Sequence, residues 1–460
     1  MKELLKKAVE LSEILKKQDE ILIVTHIDAD GITAGAIAYK ASERAGKEVE
    51  INFVKSLDEE TIKKIKDKNK FVWFTDLGSG QVSLLANIDC IITDHHLPEK
   101  ITNNQLNPHI FGYDGSVELS GATTTYLIAR SLGLNFDLSA LAIVGAVGDL
   151  QDNTHGKLIG LNRFIIEEAS KNRFVEVKRD IRFFGKQTRP VYKMLEYTFD
   201  PYLPGISGDE MGAIEFLRSL GIPLKEGDSW RRWIDLSPQE KQKVVSEIIK
   251  ILVESNYPYE LILKIVGETY LLREEEEGTE LKDAMEFSTL LNATARYGEE
   301  EIGLKICLGE RGKTFSRARS LLANHRRNLS DGLRLVDEIG IVELNNIQYF
   351  HAGNKILDTI VGIVAGMSYS FANRNKPIIA FAENEDGVKV SARATMRLVE
   401  MGIHLANAVR IAAEKVGGKG GGHSIAAGAT IPKGCEEEFL KILDEIIGKQ
   451  IRCSKSDIVA

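Results

Sequence analysis

Three short apolar runs each end in threonine followed by side chains that could bind a metal ion. The runs "ILIVTH", "FVWFTD" and "CIITDHH" close at His26, at Asp76 and at Asp94, His95 and His96. Such runs are typical of buried parallel strands, although a buried helix segment gives the same pattern. Because neighbouring parallel strands end at one edge of a sheet, where open α/β sheets bind their ligands, we expect one composite site.

The first two motifs also have ordinary structural explanations. The stretch "THIDADG" alternates His26, Asp28 and Asp30, and an extended chain would place all three on one side. "DADG" is equally typical of a turn that leads into a helix. Asp76 in "FTDLGSG" suits either a bridging metal ligand or the cap of the next helix.

The adjacent histidines of "TDHHLPE" are more specific. Neighbouring side chains point in different directions, so one histidine could bind a metal while the other meets a phosphate. Asp94 could then hold the tautomer of a histidine by a hydrogen bond. The alternative is a surface turn stopped by Pro98.

A further carboxylate follows the apolar segment "LSALAIVGAVGDLQDN" (138–153), which we expect to be a helix ending at Asp149 and Asp152. A buried carboxylate needs a partner, and a cation is a natural one. Six side chains then match what two divalent ions with a shared bridging carboxylate require: His26, Asp28, Asp30, Asp76, His95 and Asp149. The mixed donors favour Mn²⁺ over Ca²⁺, with Mg²⁺ as the alternative, and predict in-line hydrolysis at phosphorus.

The C-terminal part contains a candidate phosphate-binding loop. "GGKGGGHSIAAG" (417–428) includes Gly421, Gly422 and His423, and amides freed by glycine can surround a phosphate. Arg393, at the end of "KVSAR", could add a second contact. The alternatives are a flexible connection and an ordinary surface arginine.

Bulk composition is that of an ordinary globular protein of two or three domains. The chain has 460 residues, 43% hydrophobic and 27% charged, with a net charge of -8 that argues against general coating of nucleic acid. Two basic stretches, 171–193 and 311–328, could bind it locally or could simply face water. We expect a cytoplasmic protein with no membrane partner, because no apolar stretch reaches membrane-spanning length. Four scattered cysteines predict reduced thiols: Cys90, Cys307, Cys435 and Cys453.

The pattern along the chain predicts three regions. Residues 1–170 alternate apolar runs (21–24, 51–54, 71–74 and 90–93) with helical segments, which is typical of a parallel α/β sheet. Residues 171–279 are mostly helical and charged. The pattern over residues 280–460 predicts a smaller α/β domain. Within it we expect two short strands near 340–351, a hairpin turning at Glu385-Asp386-Gly387, and one long helix over 397–417.

Together, these motifs resemble a known family. "THIDADGITAGAI", "FTDLGSG", "TDHHLPE" and "GAVGDLQD" resemble the four motifs of the DHH phosphoesterase superfamily. "SAR" with "GGKGGGHSIAAG" resembles its associated C-terminal domain. The form "DADGITAGA" and the segment "EFSTLLNATARYG" are similar to those of archaeal RecJ-like nucleases. The likeness covers about residues 1–160 and 280–432.

The resemblance implies a parallel-sheet DHH lobe, a helical middle insertion, and a smaller α/β lobe across a cleft. It implies metal ligands at Asp28, Asp30, Asp76, His95 and Asp149. His26 stands where bacterial RecJ proteins carry an acid. His96 matches the residue near the scissile phosphate, which with Asp76 and Asp94 makes the catalytic set, and Arg393 and His423 match strand-phosphate contacts.

The expected function is therefore metal-dependent exonuclease activity on single-stranded DNA or RNA, in replication or repair. The middle insertion resembles a module that docks to the replicative GINS complex, and a repair helicase is the other partner that the resemblance suggests. The alternative enzyme is an oligoribonuclease or dinucleotide phosphodiesterase. A scaffold without catalysis is a third class, disfavoured because every ligand position holds a competent residue.

Overall fold

The structure, a computed structural model, describes residues 1–385 and 387–457, and the side chains of residues 1–385 and 387–451. The predicted turn residue Asp386 and the side chain of Cys453 lie outside the described residues. The chain forms two compact units, Met1–Leu322 and the part from Ala323 onward, which are joined within one long helix.

The first unit begins with a five-stranded parallel sheet, as the apolar runs predicted. Its strands lie in the order β2-β1-β3-β4-β5. The elements are α1 (Lys2–Lys16), β1 (Glu20–His26), α2 (Ala29–Arg44), β2 (Glu48–Val54), α3 (Glu59–Asp67), β3 (Phe71–Thr75), β4 (Cys90–Thr93), β5 (Gln105–Leu106), α4 (Gly121–Leu132), α5 (Ser139–Gly148) and α6 (Asn162–Lys171). Strand β2 lies on one side of β1, and β3, β4 and β5 lie on the other. The strand order therefore reverses its direction between β1 and β3, and α/β sheets bind ligands at such a point.

Both faces of this sheet are buried, which explains why its strands read as continuous apolar runs. Ile21 and Ile23 pack into the core that contains α2, α4 and α5. Leu22 and Val24 point to the other face and pack with α3. The alternation along β1 therefore serves two cores at once.

The middle region is mostly helical, as expected, and is flanked by one antiparallel strand pair. Its elements are β6 (Val175–Ile181), α7 (Val191–Glu196), α8 (Glu210–Ser219), β7 (Lys225–Glu226), β8 (Ser229–Trp230), α9 (Pro238–Glu254), α10 (Tyr259–Leu263) and β9 (Val266–Leu272). Strand β6 pairs with β9, so the region begins and ends at one place within the first unit. It encloses its own core around Trp233 and Leu217.

Three helices follow: α11 (Ala284–Arg296), α12 (Glu300–Cys307) and α13 (Lys313–Ile339), the helix that joins the two units. Leu290 and Leu291 of α11 and Leu304 of α12 belong to the core that α2 also lines. These two helices therefore pack with the first unit, although they lie beyond residue 280. The domain bounds taken from sequence patterning remain a prediction.

The second unit is built on a six-stranded mixed sheet with the order β10-β11-β12-β13-β15-β14. Its elements after α13 are β10 (Val342–Glu343), β11 (Gln348–His351), α14 (Val361–Met367), β12 (Ile378–Asn384), β13 (Gly387–Arg393), α15 (Met396–Glu400), α16 (Leu405–Lys415), β14 (Lys419–Gly422), β15 (Ala426–Ile431) and α17 (Glu436–Asp457). The two predicted short strands are confirmed, and β12 pairs with β13 as the predicted hairpin.

The single long helix predicted over 397–417 is wrong. The segment forms α15 and α16, which are separated at Gly402, where the backbone adopts a positive φ of 92° that ends a helix. His404 then caps α16, its Nδ1 accepting the amide of Asn407 at 3.3 Å. Apolar periodicity continues across the break because both helices pack on the same core.

Cys90, Cys307 and Cys435 form no disulfide. Among the described residues, none of the helices has the length and apolarity that a bilayer crossing requires.

A buried acidic residue ties the middle region to α11. Glu286 is 1% exposed and accepts hydrogen bonds from the Gln187 amide at 2.7 Å and from Thr188 Oγ1 at 2.5 Å. Beside it, Lys186 Nζ lies 3.1 Å from Asp283. Burial, followed by the charge of Asp283, raises the pKa of Glu286 to about 7.

The raised pKa of Glu286 predicts that the protein loses stability as the pH rises from about 4.5 to 7. The folded state holds a proton that the unfolded chain has released over this range, so the free energy of unfolding falls by an amount on the order of 3 kcal/mol. In Glu286→Gln that part of the pH dependence should vanish. Urea unfolding of both proteins at pH 5 and pH 8 measures it.

The matched control is Glu274→Gln, which alters an exposed glutamate and should keep the wild-type pH dependence. An unchanged pH slope in Glu286→Gln would contradict the prediction.

Candidate metal centre

The turn from β1 into α2 places the first three candidate residues. His26 is the last residue of β1, Asp28 caps α2 by accepting the Gly31 amide at 2.9 Å, and Asp30 lies in the first helical turn. The segment is therefore not extended, and our reason for grouping these residues was wrong. They still lie together, because a helical turn replaces the extended alternation, and Asp28 Oδ2 is 3.0 Å from His26 Nδ1.

The N-terminus of α4 holds Asp30. Ser120 Oγ and the amides of Gly121 and Ala122 donate to its carboxylate at 2.8, 2.7 and 3.0 Å. These donors and the helix dipole both favour a negative charge at this point. The side chain is 2% exposed, so its orientation is fixed by the fold.

Asp76 lies at the centre of the site. It follows β3 directly, has a positive φ of 61°, and is 2% exposed. Its Oδ2 is 3.8 Å from His26 Nδ1, and its Oδ1 is 3.3 Å from His95 Nε2. Apart from this contact with His95, Oδ1 has no hydrogen-bond partner among the residues that the structure describes. Burial, followed by the charge of Asp30, raises the pKa of Asp76 well above its usual value.

His95 is buried with its two ring nitrogens in different roles. Nδ1 lies 2.7 Å from the Gly115 carbonyl oxygen, which can only accept, so Nδ1 donates. Nε2 is then directed at Asp76 and at Asp30 Oδ2, 3.8 Å away. Asp149, at the end of α5 as predicted, has Oδ2 3.6 Å from Nδ1.

Asp94 and His96 form a hydrogen-bonded pair beside His95. Asp94 is buried and accepts from the amides of Ser79, His95 and His96 and pairs with His96 Nδ1 at 2.8 Å. Burial opposes its ionisation, but the hydrogen bond and charge of His96 lower the pKa of Asp94 to about 2. The His96 side chain is 60% exposed, so its ring reaches solvent while that of His95 does not.

The electrostatics of the site balance excess carboxylate against two imidazoles. Burial lowers the pKa of His26, but the Asp28 charge and hydrogen bond outweigh it and raise the value to about 9. Burial acts against the ionised form of Asp28, yet His26 lowers its pKa to about 2. Burial raises the pKa of Asp149 to about 7, although His95 opposes the shift. More positive charge would stabilise this cluster.

The six candidate ligands form groups that are compact enough to hold ions. His26, Asp28 and Asp76 make one group, and a second consists of Asp30, His95 and Asp149; within each, ligand atoms lie within 4.8 Å of one another. A third, overlapping group joins Asp76, Asp94, His95 and His96. Oδ1 of Asp76 and the mixture of carboxylate and imidazole donors fit divalent cations.

The candidate phosphate contacts lie in the second unit. Arg393 ends β13 and pairs in register with Ala426 of β15, and His423 donates its amide to the Ala426 carbonyl at 2.7 Å. Gly421 and Gly422 are not in a loop as expected, because they form strand β14 beside β15. The sheet register thus brings all four residues to one edge.

Sequence reasoning missed several residues that shape the site. Asn292 Oδ1 accepts the Ala29 amide at 3.0 Å and so supports the start of α2 from a helix 263 positions away. Arg296 lies in the same helix; burial lowers its pKa, and the charge of Asp28 opposes the shift. Both are in "EFSTLLNATARYG", whose likeness to archaeal nucleases was the available signal. No signal in the sequence pointed to the contacts that Gly115 and Gln151 make.

An added methyl group at Gly121 would lie 2.3 Å from Asp76 Oδ1. At Gly145 it would lie 2.4 Å from Ala122 Cβ and 2.6 Å from Asp30 Oδ1. Helices α4 and α5 therefore approach the centre through glycine, where a side chain would displace a carboxylate.

Comparison with known families divides the chain into three matches. Residues 20–145 match the DHH family N-terminal domain, residues 183–266 match the DHH-CID domain, and residues 346–449 match the DHHA1 domain. An uncharacterized protein of Methanocaldococcus jannaschii is 36% identical over 454 residues, which cover 96% of each chain.

Two solved proteins share the fold. RecJ from Thermus thermophilus, solved in complex with Mn²⁺, aligns with a TM-score of 0.61 at 17% identity, over 97% of this chain and 55% of that one. This chain thus spans about half the length of that RecJ. CDC45 from Entamoeba histolytica aligns with a TM-score of 0.66 at 14% identity, over 96% and 99% of the two chains.

The three matched domains, their order and the RecJ fold agree with the geometry at the sheet edge. The chain belongs to the DHH superfamily of phosphoesterases and has the fold of RecJ.

Proposed function

We propose that the protein is a metal-dependent exonuclease that hydrolyses phosphodiester bonds of single-stranded DNA or RNA to mononucleotides, in replication or repair. The observation that carries this proposal is the buried Asp76 carboxylate, which lies between His26 and His95 and has one oxygen with no hydrogen-bond partner besides His95 among the described residues. A carboxylate so placed is costly unless it binds cations. The exposed ring of His96 beside it offers a contact for a substrate phosphate.

His26, Asp28 and Asp76 would hold one divalent ion, and Asp30, Asp76, His95 and Asp149 a second, with Asp76 shared. Mn²⁺ fits the two imidazole donors best and is the ion present in a solved RecJ structure; Mg²⁺ is the alternative. When bound, such ions supply an activated water and stabilise the leaving oxygen of an in-line displacement.

The protein's own groups then bind and orient the substrate. His96, held at Nδ1 by Asp94, presents Nε2 to a non-bridging oxygen of the scissile phosphate. The imidazolium form is favoured because its hydrogen bond with Asp94 raises the pKa of His96. Arg393 and His423, with the amides of Gly421 and Gly422, bind another phosphate of the strand.

The alternative reading is an enzyme for dinucleotides and very short oligomers. The basic stretch 171–193 supports a longer substrate less strongly than its composition suggested. Arg182 pairs with Asp152 at 2.7 Å and Lys186 pairs with Asp283, both buried. These two cations are paired with carboxylates inside the protein, which leaves fewer basic groups of the stretch for a nucleic acid. We also propose GINS or a repair helicase as the partner of the middle region. The fold likeness to CDC45 supports this proposal.

The first test is hydrolysis by Asp76→Ala. Loss of the shared ligand should lower kcat on the order of a thousandfold, because a cation contributes several kcal/mol to the transition state. Single strands of DNA and RNA labelled at either end, incubated with Mn²⁺ or Mg²⁺, show the product and the direction of digestion.

Asp89→Ala is the matched control, because Asp89 is exposed and precedes β4 at the opposite edge of the sheet. Cleavage of dinucleotides alone would favour the oligomer enzyme. Full activity of Asp76→Ala would refute the two-metal proposal, and an inactive wild-type protein would favour a scaffold.

The second test changes the space beside Asp76 and substitutes none of the candidate ligand residues. Gly121→Ala should displace the Asp76 carboxylate and weaken Mn²⁺ binding by about tenfold or more, which isothermal titration calorimetry measures. Gly133→Ala, at the other end of α4, is the control, since its added methyl group meets only Asn135 Nδ2 at 3.8 Å. Equal affinities of the two variants would count against a metal at Asp76.

The third test separates strand binding from chemistry. Arg393→Ala and His423→Ala should each raise KM roughly 10- to 100-fold with a smaller change in kcat, because each removes a charge-assisted contact worth about 1.5–3 kcal/mol. Lys433→Ala, which removes a surface pair with Glu383, should leave both constants unchanged. A fall in kcat at constant KM would place these residues in the chemical step instead.

A further inference from the structure

Gln151 is fully buried between two of the candidate metal ligands. Its Nε2 donates to the Gly115 carbonyl oxygen at 2.8 Å and to Asp149 Oδ2 at 3.0 Å. Its Oε1 accepts from Asn162 Nδ2 at 2.7 Å. Both ends of the amide are therefore engaged, and the orientation of the side chain follows from its partners.

The Gly115 carbonyl connects Gln151 to His95. The same oxygen accepts from His95 Nδ1 at 2.7 Å, which leaves Nε2 directed at Asp76. The loop can approach this closely only at glycine, since a methyl group on Gly115 would lie 1.9 Å from the His95 carbonyl oxygen. Gln151 thus controls the position of the oxygen that sets the tautomer and ring orientation of His95.

The end of α5 fixes the distance between Asp149 and Gln151. Leu150 donates its amide to the Val147 carbonyl and Gln151 donates its amide to the Ala146 carbonyl, the bond pattern of a Schellman motif. Leu150 has a φ of 59° at the position where glycine is usual. A left-handed leucine is unfavourable, and this one lies directly beside Asp149.

Only an amide fits this position. Two acceptors, the Gly115 carbonyl and Asp149, face one end of the side chain, and one donor, Asn162, faces the other. An apolar side chain of the same length would leave all three without this partner inside the protein. Orienting partners of this kind change metal affinity by about 10- to 100-fold in other metal sites.

We infer that Gln151 is a positioning residue of the metal centre. It holds His95, through the Gly115 carbonyl, and Asp149 directly, so that the two ligands face one cation. The inference rests on the proposed function, because it assumes that His95 and Asp149 bind a metal ion.

The test compares Mn²⁺ binding with folding in the full-length chain. Gln151→Met removes the amide at constant length, and Gln187→Met is the matched control. Gln187 is also buried, and its hydrogen bonds join it to Gly278, Glu286 and Arg232, none of which is a candidate ligand. Mn²⁺ affinity is measured by isothermal titration calorimetry, and Tm is measured in EDTA and with Mn²⁺.

We expect both variants to lower Tm in EDTA, and Gln151→Met to lower it more, since its amide makes three hydrogen bonds whereas the Gln187 side chain accepts one from Gly278. Only Gln151→Met should bind Mn²⁺ roughly 10- to 100-fold more weakly and lose most of the Mn²⁺-induced rise in Tm. If Gln151→Met does not fold, Asn162→Leu takes its place. It removes the donor that orients Gln151 and should weaken Mn²⁺ binding in the same direction, by less.

Two results would overturn the inference, and they are distinguishable. If Gln151→Met, or Asn162→Leu in its place, binds Mn²⁺ within about twofold of the wild-type protein, Gln151 has only a structural role and the proposed function stands. If the wild-type protein itself binds no Mn²⁺ or Mg²⁺, the proposed function fails and the inference fails with it.

Discussion

The carboxylate of Asp76 is the constraint on which the site depends. It is buried, it lies between two imidazoles, and its Oδ1 has no hydrogen-bond partner besides His95 among the described residues. Burial of an ionised carboxylate that is not fully paired costs several kcal/mol. The surrounding fold is therefore arranged for a positive charge that must come from outside the chain. The backbone accepts a left-handed conformation at Asp76 to point the side chain there.

The rest of the first unit brings other groups to this carboxylate without filling the space around it. Helix α4 presents amides to Asp30 and a glycine to Asp76, and α5 ends at Asp149. Asp94 uses its hydrogen bonds to hold the backbone and ring of His96. Helix α11 supports the start of α2, because Asn292 accepts a hydrogen bond from the Ala29 amide. Buried ligands are thus held rigidly, while one imidazole remains accessible to a substrate.

Sequence patterning predicted the parallel strands, the residues at their ends and the proximity of six candidate ligands, because apolar runs and metal-ligand types are local properties of the chain. It misjudged segments in which a local break changes direction. After His26 the strand is followed by a helical turn, and at Gly402 a positive φ separates two helices whose apolar spacing continues across the break. The glycines of β14 looked like a loop because glycine disfavours strands, yet the register with β15 overrides that preference.

The sequence by itself determined which chemistry is available: five carboxylates and three imidazoles at strand and helix ends, in motifs that resemble one superfamily. Only the tertiary structure decided which of these groups lie close enough to share an ion and which hold their neighbours by hydrogen bonds. Asp94 and Asp149 have the same side chain. Asp94 accepts hydrogen bonds from backbone amides, whereas Asp149 faces His95. The roles of Gln151, Gly115 and Asn292 were also invisible, because a hydrogen bond between distant segments leaves no spacing in the chain. Proximity across the sheet edge, and the desolvation it brings, exists only after folding.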